Sequence, residues 1–111
     1  MGQLFRSPLN RTYALAADAV AVSLAEVIDM SNMAGGSIET TAAQTITSYG
    51  TNQSVPEGKT FVACEDEDGV AVAAMTFAGA AIRSLPSAFY NYRYVVLVDA
   101  NGGNVYLHQK S

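Results

Sequence analysis

Along most of the chain, hydrophobic and polar residues alternate with a period of two, the repeat of strands whose successive side chains point to opposite faces. Residues 59–98, KTFVACEDEDGVAVAAMTFAGAAIRSLPSAFYNYRYVVLV, carry this pattern most fully. Thr60–Cys64 and Val70–Phe77 predict a hairpin around Glu65–Gly69, with Asp68–Gly69 as the turn dipeptide. In its second strand Val70, Val72 and Ala74 face one way and Ala71, Ala73 and Met75 the other. Gly79 marks a further turn, and Ala80–Leu85 predicts a strand that ends at Pro86. The aromatic run Phe89–Tyr94 leads into a strand in which Tyr92, Tyr94, Val96 and Val98 oppose Arg93, Val95 and Leu97. A strand apolar on both sides lies centrally in its sheet or has one side against a partner. Asp99–Asn104 (DANGGN) reads as a hairpin turn, and Val105–Gln109 as the closing strand.

Upstream the pattern is less regular. Ser37–Thr41 and Gln44–Tyr49 alternate polar residues with Ile38, Ile46 and threonines, which predicts two strands. Turn chemistry in Asp29–Gly36 and the polar loop Tyr49–Gly58 bound them. Tyr13–Met30 fits either period; Val20 and Val22 flanking Ala21 favour a strand over Ala19–Leu24, while the alanines favour a helix. Met1–Thr12 has neither period, and Pro8 pushes Ser7 toward an extended shape. It carries Leu4, Phe5 and Leu9 beside Arg6 and Arg11, which suits either an arm that docks on a neighbour or across its own fold, or a mobile tail. Seven or eight short strands spaced by about 8–12 residues predict an all-β, antiparallel, jelly-roll-like β-sandwich. The expected organisation is an extended arm over residues 1–12 and a single sandwich domain over 13–111.

Composition narrows the function classes. Net charge is −4, and the six Lys and Arg residues are spread along the chain, so a nucleic-acid-binding face is not expected. The Ala/Val-rich run Ala14–Ile28 is broken by Asp18, Ser23 and Glu26 and falls short of the roughly 20 residues of a membrane span. Residues 1–11 lack the apolar core of a secretory signal, so a soluble protein is expected. Charged residues make up only 14% of the chain, against about 25% in ordinary domains. Either Ser, Thr, Asn, Gln and Gly supply the wet surface, or other subunits cover part of it; both can hold.

Candidate chemistry is sparse. Glu65–Asp68 offers four consecutive carboxylates, enough to suggest calcium, but lacks the EF-hand register and equally suits a solvated hairpin tip. Cys64, the single cysteine, excludes an intrachain disulfide and fits a reducing compartment. A nucleophilic pair with His108 is disfavoured, because the following acids are expected to raise the thiol pKa. No serine elbow, phosphate-cradling glycine loop or zinc spacing is present, so neither an enzyme nor a cofactor is expected. Phe89, Tyr90, Tyr92, Tyr94 and Tyr106 suit core packing better than a sugar-stacking platform.

Tyr49–Gly50, Asp68–Gly69–Val70–Ala71–Val72, Gly79, Leu85–Pro86, Phe89, Arg93–Tyr94–Val95 and Val105–Leu107 form a cadence over residues 42–111. It resembles that of small β-sandwich bacteriophage virion proteins, including capsid decoration (cement) proteins. The resemblance implies a virion protein, assembled in the host cytoplasm, that binds the major capsid protein and bridges shell subunits, commonly as a homotrimer. On that reading Leu4, Phe5 and Leu9 anchor the bridging arm, and Arg6 and Arg11 meet acidic shell surface. Val95, Leu97 or the Ala71/Ala73 face would supply contacts between subunits. Discoidin-like glycan-binding modules have a similar cadence, but usually with a disulfide and exposed loop aromatics. A glycan-binding module and a tail or fibre component are the alternatives.

Overall fold

The computed structural model describes residues 9–20, 22–31, 33–54 and 59–110. Nine strands occur among them: β1 (Leu9–Ala14), β2 (Val27–Asp29), β3 (Gly35–Thr40), β4 (Gln44–Thr51), β5 (Val62–Ala63), β6 (Met75–Phe77), β7 (Ala81–Ser84), β8 (Tyr94–Val98) and β9 (Asn104–Lys110). They form two antiparallel sheets, ordered β1-β9-β3-β7 and β2-β8-β4-β5, with β6 also on β4. The fold is an all-β sandwich. Among the described residues, no helix is long and apolar enough to cross a membrane.

Alternation places one side chain in two between the sheets. Ile38 from β3, Ile46 from β4, Val95 and Leu97 from β8, and Val105 and Leu107 from β9 meet in a core completed by Ile28, Phe77 and Phe89. Fully burying an aliphatic or aromatic side chain contributes about 1.5–3 kcal/mol, so these residues dominate the fold's stability. β8 is central in its sheet, as a strand apolar on both sides requires. Its other face, with Val96, packs with Ala16, Val22, Val27 and Phe61 in a second cluster. The outer face of β8 is therefore covered by its own chain, whereas β5 at the far edge of that sheet is exposed.

Several expectations change here. Ala19–Leu24 is not a strand: Val22 is buried but Val20 is 66% exposed, and the segment lies over the second sheet instead of pairing within it. A short 3₁₀ turn, Leu24–Glu26, follows, closed by Glu26 Oε1 accepting from the Ser23 amide at 2.7 Å. The aromatic run begins in a second 3₁₀ turn, Ser87–Asn91, before β8. Asp99–Asn104 does not close a hairpin, because β8 and β9 belong to different sheets and the turn carries the chain between them. Gly102 and Gly103 supply its left-handed conformations (φ +72° and +105°).

The expected 60–77 hairpin is also reduced. β5 pairs with Tyr49–Gly50 and β6 with Gln44–Ile46, both along the same edge of β4. They act as two halves of one edge strand, interrupted by residues 64–74. Within that excursion the Glu65↔Ala71 bridge, the amide bonds Asp66→Val70 and Val72→Cys64, and the Val70 amide donating to Asp66 Oδ1 hold the two sides together.

Candidate functional site

The first sheet is finished differently from the second. Its outward positions form two cross-strand rows: Asn10, His108, Ser37 and Ser84, then Thr12, Tyr106, Glu39 and Ile82. These outward side chains are exposed or half-buried. A groove of about 460 Å³ runs over them, lined by Asn10, Thr12, Glu39, Ile82, Tyr106 and His108 among others. Ile82 is 66% and Tyr106 45% exposed, flanking Glu39. Nδ1 of His108 lies 2.6 Å from Oδ1 of Asn10, which makes the ring nitrogen the donor and fixes that end of the groove. The face combines two apolar anchors, one carboxylate and several neutral hydrogen-bonding groups. It suits a ligand with apolar and polar or cationic groups together.

The expected partner-binding residues separate. Leu4, Phe5 and Arg6 lie outside the described residues. Leu9 opens β1, opposite Gln109, so the last four residues of the expected 1–12 arm are an edge strand of the first sheet. Arg11 is exposed at that edge, between the groove and a cleft of about 130 Å³ lined by Tyr13, Asp29, Ser31, Met33 and Gln109. Burial pushes the Tyr13 phenol pKa up, partly opposed by Arg11. Val95 and Leu97 are 0% and 1% exposed, inside the core, so they are not surface contacts. Alternation placed them correctly on one face, but that face turns inward. Ala71 and Ala73 are exposed.

Cys64 and His108 are not brought together: the thiol lies in the core and the imidazole on the outer face of the first sheet. Burial, rather than the neighbouring acids, pushes the Cys64 thiol pKa up to about 11, with a Ser48 hydrogen bond opposing it. In the acidic turn, Asp66 Oδ1 accepts from the amides of Asp68 at 2.9 Å and Val70 at 3.0 Å, which shapes the loop locally. Among the described residues no three His, Cys, Asp or Glu side chains gather to hold a metal. Tyr90 is half-buried against the core and its phenol pKa is raised by burial, so it does not present the free ring that sugar stacking needs. Tyr92 packs against the core, and its hydroxyl accepts from the Glu65 amide at 2.7 Å.

The sequence does not single out Ile82 or Glu39, and it assigns Tyr106 to core packing, whereas the ring is exposed on the outer face. Their only sequence signal is that each is an outward position of a strand whose other face is apolar, which cannot show that three strands align them. No protein-family model matches the chain, and comparisons with curated proteins and with solved structures return no match.

Proposed function

We propose that this chain is a structural virion protein that decorates an assembled capsid, binding the major capsid protein and bridging neighbouring subunits as a small homo-oligomer, a trimer in the simplest case. The observation that carries the proposal is the amount of apolar surface left in water: Ile82 and Tyr106 stand exposed on the outer face of the first sheet, and Val20, Leu24, Val62 and Val70 are exposed elsewhere. A chain with only 14% charged residues has little ionic surface to compensate for such a face.

Strand order supports a jelly roll. Counting β5 and β6 as one interrupted strand leaves eight positions, and the orders β1-β9-β3-β7 and β2-β8-β4-β5 are those of two nested Greek keys. Viral shell proteins use that architecture, as do lectins, so fold alone does not decide between them. Residues 1–8, which precede edge strand β1 in the sequence, are the bridging element, and Arg11, exposed on that strand, meets acidic shell surface.

Decoration stabilises by mass action, because the protein binds the assembled shell and not its dissociated parts. At a free concentration about 100 times Kd, the bound shell gains about 2.7 kcal/mol per site. The test is co-sedimentation with assembled shells and a thermal melt of those shells. Pelleting with the shell and a raised melting temperature are expected; a chain that stays in the supernatant and leaves the melt unchanged overturns the proposal. Deleting residues 1–8 is the appropriate arm variant, since deleting 1–12 also removes most of β1.

A further inference from the structure

We infer that the groove on the outer face of β1-β9-β3-β7 is the receiving site for the N-terminal segment, residues 1–8, of a second copy of this chain. The inference rests on reading the chain as an assembling protein, and it assigns the contact between copies. The segment MGQLFRSP places Leu4 and Phe5 directly before Arg6. The groove places Ile82 and Tyr106 on either side of Glu39 in one cross-strand row. In composition, two apolar side chains and a cation match two apolar side chains and a carboxylate. The groove's neutral hydrogen-bonding groups, including Thr12, Ser37 and the Asn10–His108 pair, suit the polar backbone of an extended segment.

Reach favours a second copy over the same chain. Ile82 lies three strands from β1, about 14 Å across the sheet at about 4.8 Å per strand. It shares a row with Thr12, three residues in from Leu9, or about 10 Å along β1. The straight path from Leu9 to Ile82 is therefore about 17 Å. Phe5 stands four residues before Leu9 and extends at most about 14 Å from it. A chain reversing direction over its own sheet reaches less. Phe5 therefore approaches its own Tyr106 more readily than its own Ile82, so a contact at Ile82 favours another molecule. Exchange of a terminal segment between identical subunits is also a low-cost route to oligomers.

The experiment uses two single-site variants of the full chain, Phe5→Cys and Ile82→Cys, mixed under mild oxidation and read on a non-reducing gel. Cys64 is buried and remains in place in both. A cross-linked heterodimer is expected. The control is Phe5→Cys mixed with Val62→Cys, an equally exposed position (65%) on the other sheet, which should not cross-link above background. In parallel, light scattering should give the full chain a mass that is a multiple of 11.7 kDa. Deletion of residues 1–8, or the exposed-site change Ile82→Glu, should return the mass to one copy while circular dichroism stays β-type. The inference is overturned by a monomeric full chain, an oligomer that survives loss of residues 1–8, or no cross-link above the control. It is also overturned if a Phe5→Cys/Ile82→Cys double variant cross-links only within one chain. A groove left free by any of these results is open to a shell subunit or a glycan instead. The proposed function fails separately: an arm-dependent oligomer that ignores shells sinks decoration and leaves this contact standing, and a monomer that binds shells does the reverse.

Discussion

At Gly50, β4 passes directly beneath the Tyr92 ring: a Cβ there would stand 2.5 Å from Cδ1. The same tyrosine hydroxyl accepts from the Glu65 amide, so moving the ring also loosens the acidic excursion. Gly50→Ala is expected to cost about 1–3 kcal/mol, the usual range for overpacking, read from denaturant unfolding. Tyr92→Phe, which removes only the hydroxyl, should cost less, about 1 kcal/mol. The Cys64 thiol makes a second residue-scale prediction. Burial raises its pKa from 9.0 to about 11. Across that interval the native thiol keeps a proton that the unfolded chain releases. The stability it contributes is therefore complete below pH 9 and lost as pH rises toward 11, with a slope of at most about 1.4 kcal/mol per pH unit. Tyr13 and Tyr90, also raised by burial, act in the same direction at higher pH. Urea unfolding at a series of alkaline pH values should show a shallower decline for Cys64→Ala than for the native chain.

At the scale of the element, the acidic turn is shaped by Asp66 alone among its four carboxylates. Asp66→Ala removes the acceptor for the Asp68 and Val70 amides and should cost about 1 kcal/mol. Glu67→Ala should stay within about 0.5 kcal/mol, as surface changes usually do. Added calcium should leave the melting temperature unmoved; a clear upward shift would restore the metal reading of this loop. These strands also show what alternation can and cannot reveal. In β8 the pattern was fully legible, because Val95, Val96 and Leu97 are all buried, on two faces. Over Ala19–Leu24 it misled, because Val20 and Val22 carry β-branched alternation in a segment that covers a sheet without joining it. Asp99–Asn104 announced a turn through Gly102 and Gly103, but turn chemistry is local and does not say which sheet receives the next strand. For the same reason the groove was invisible: Tyr106, Glu39 and Ile82 are neighbours only through pairings distant in sequence.

For the whole molecule, the exposed apolar pair Ile82 and Tyr106 on the first sheet predicts that thermal stability depends on protein concentration. If copies cover one another's open face, the melting temperature should rise on increasing the concentration from micromolar to millimolar, and Ile82→Glu should abolish the rise. A concentration-independent melt would argue for a chain complete by itself. The break in the edge strand has a practical consequence of a different kind. Because β5 and β6 are each anchored to β4 on either side of residues 64–74, the intervening loop is a natural port for foreign cargo. A short epitope grafted between Glu67 and Asp68 should be displayed outward with both halves of the strand still docked, turning the sandwich into an antigen carrier.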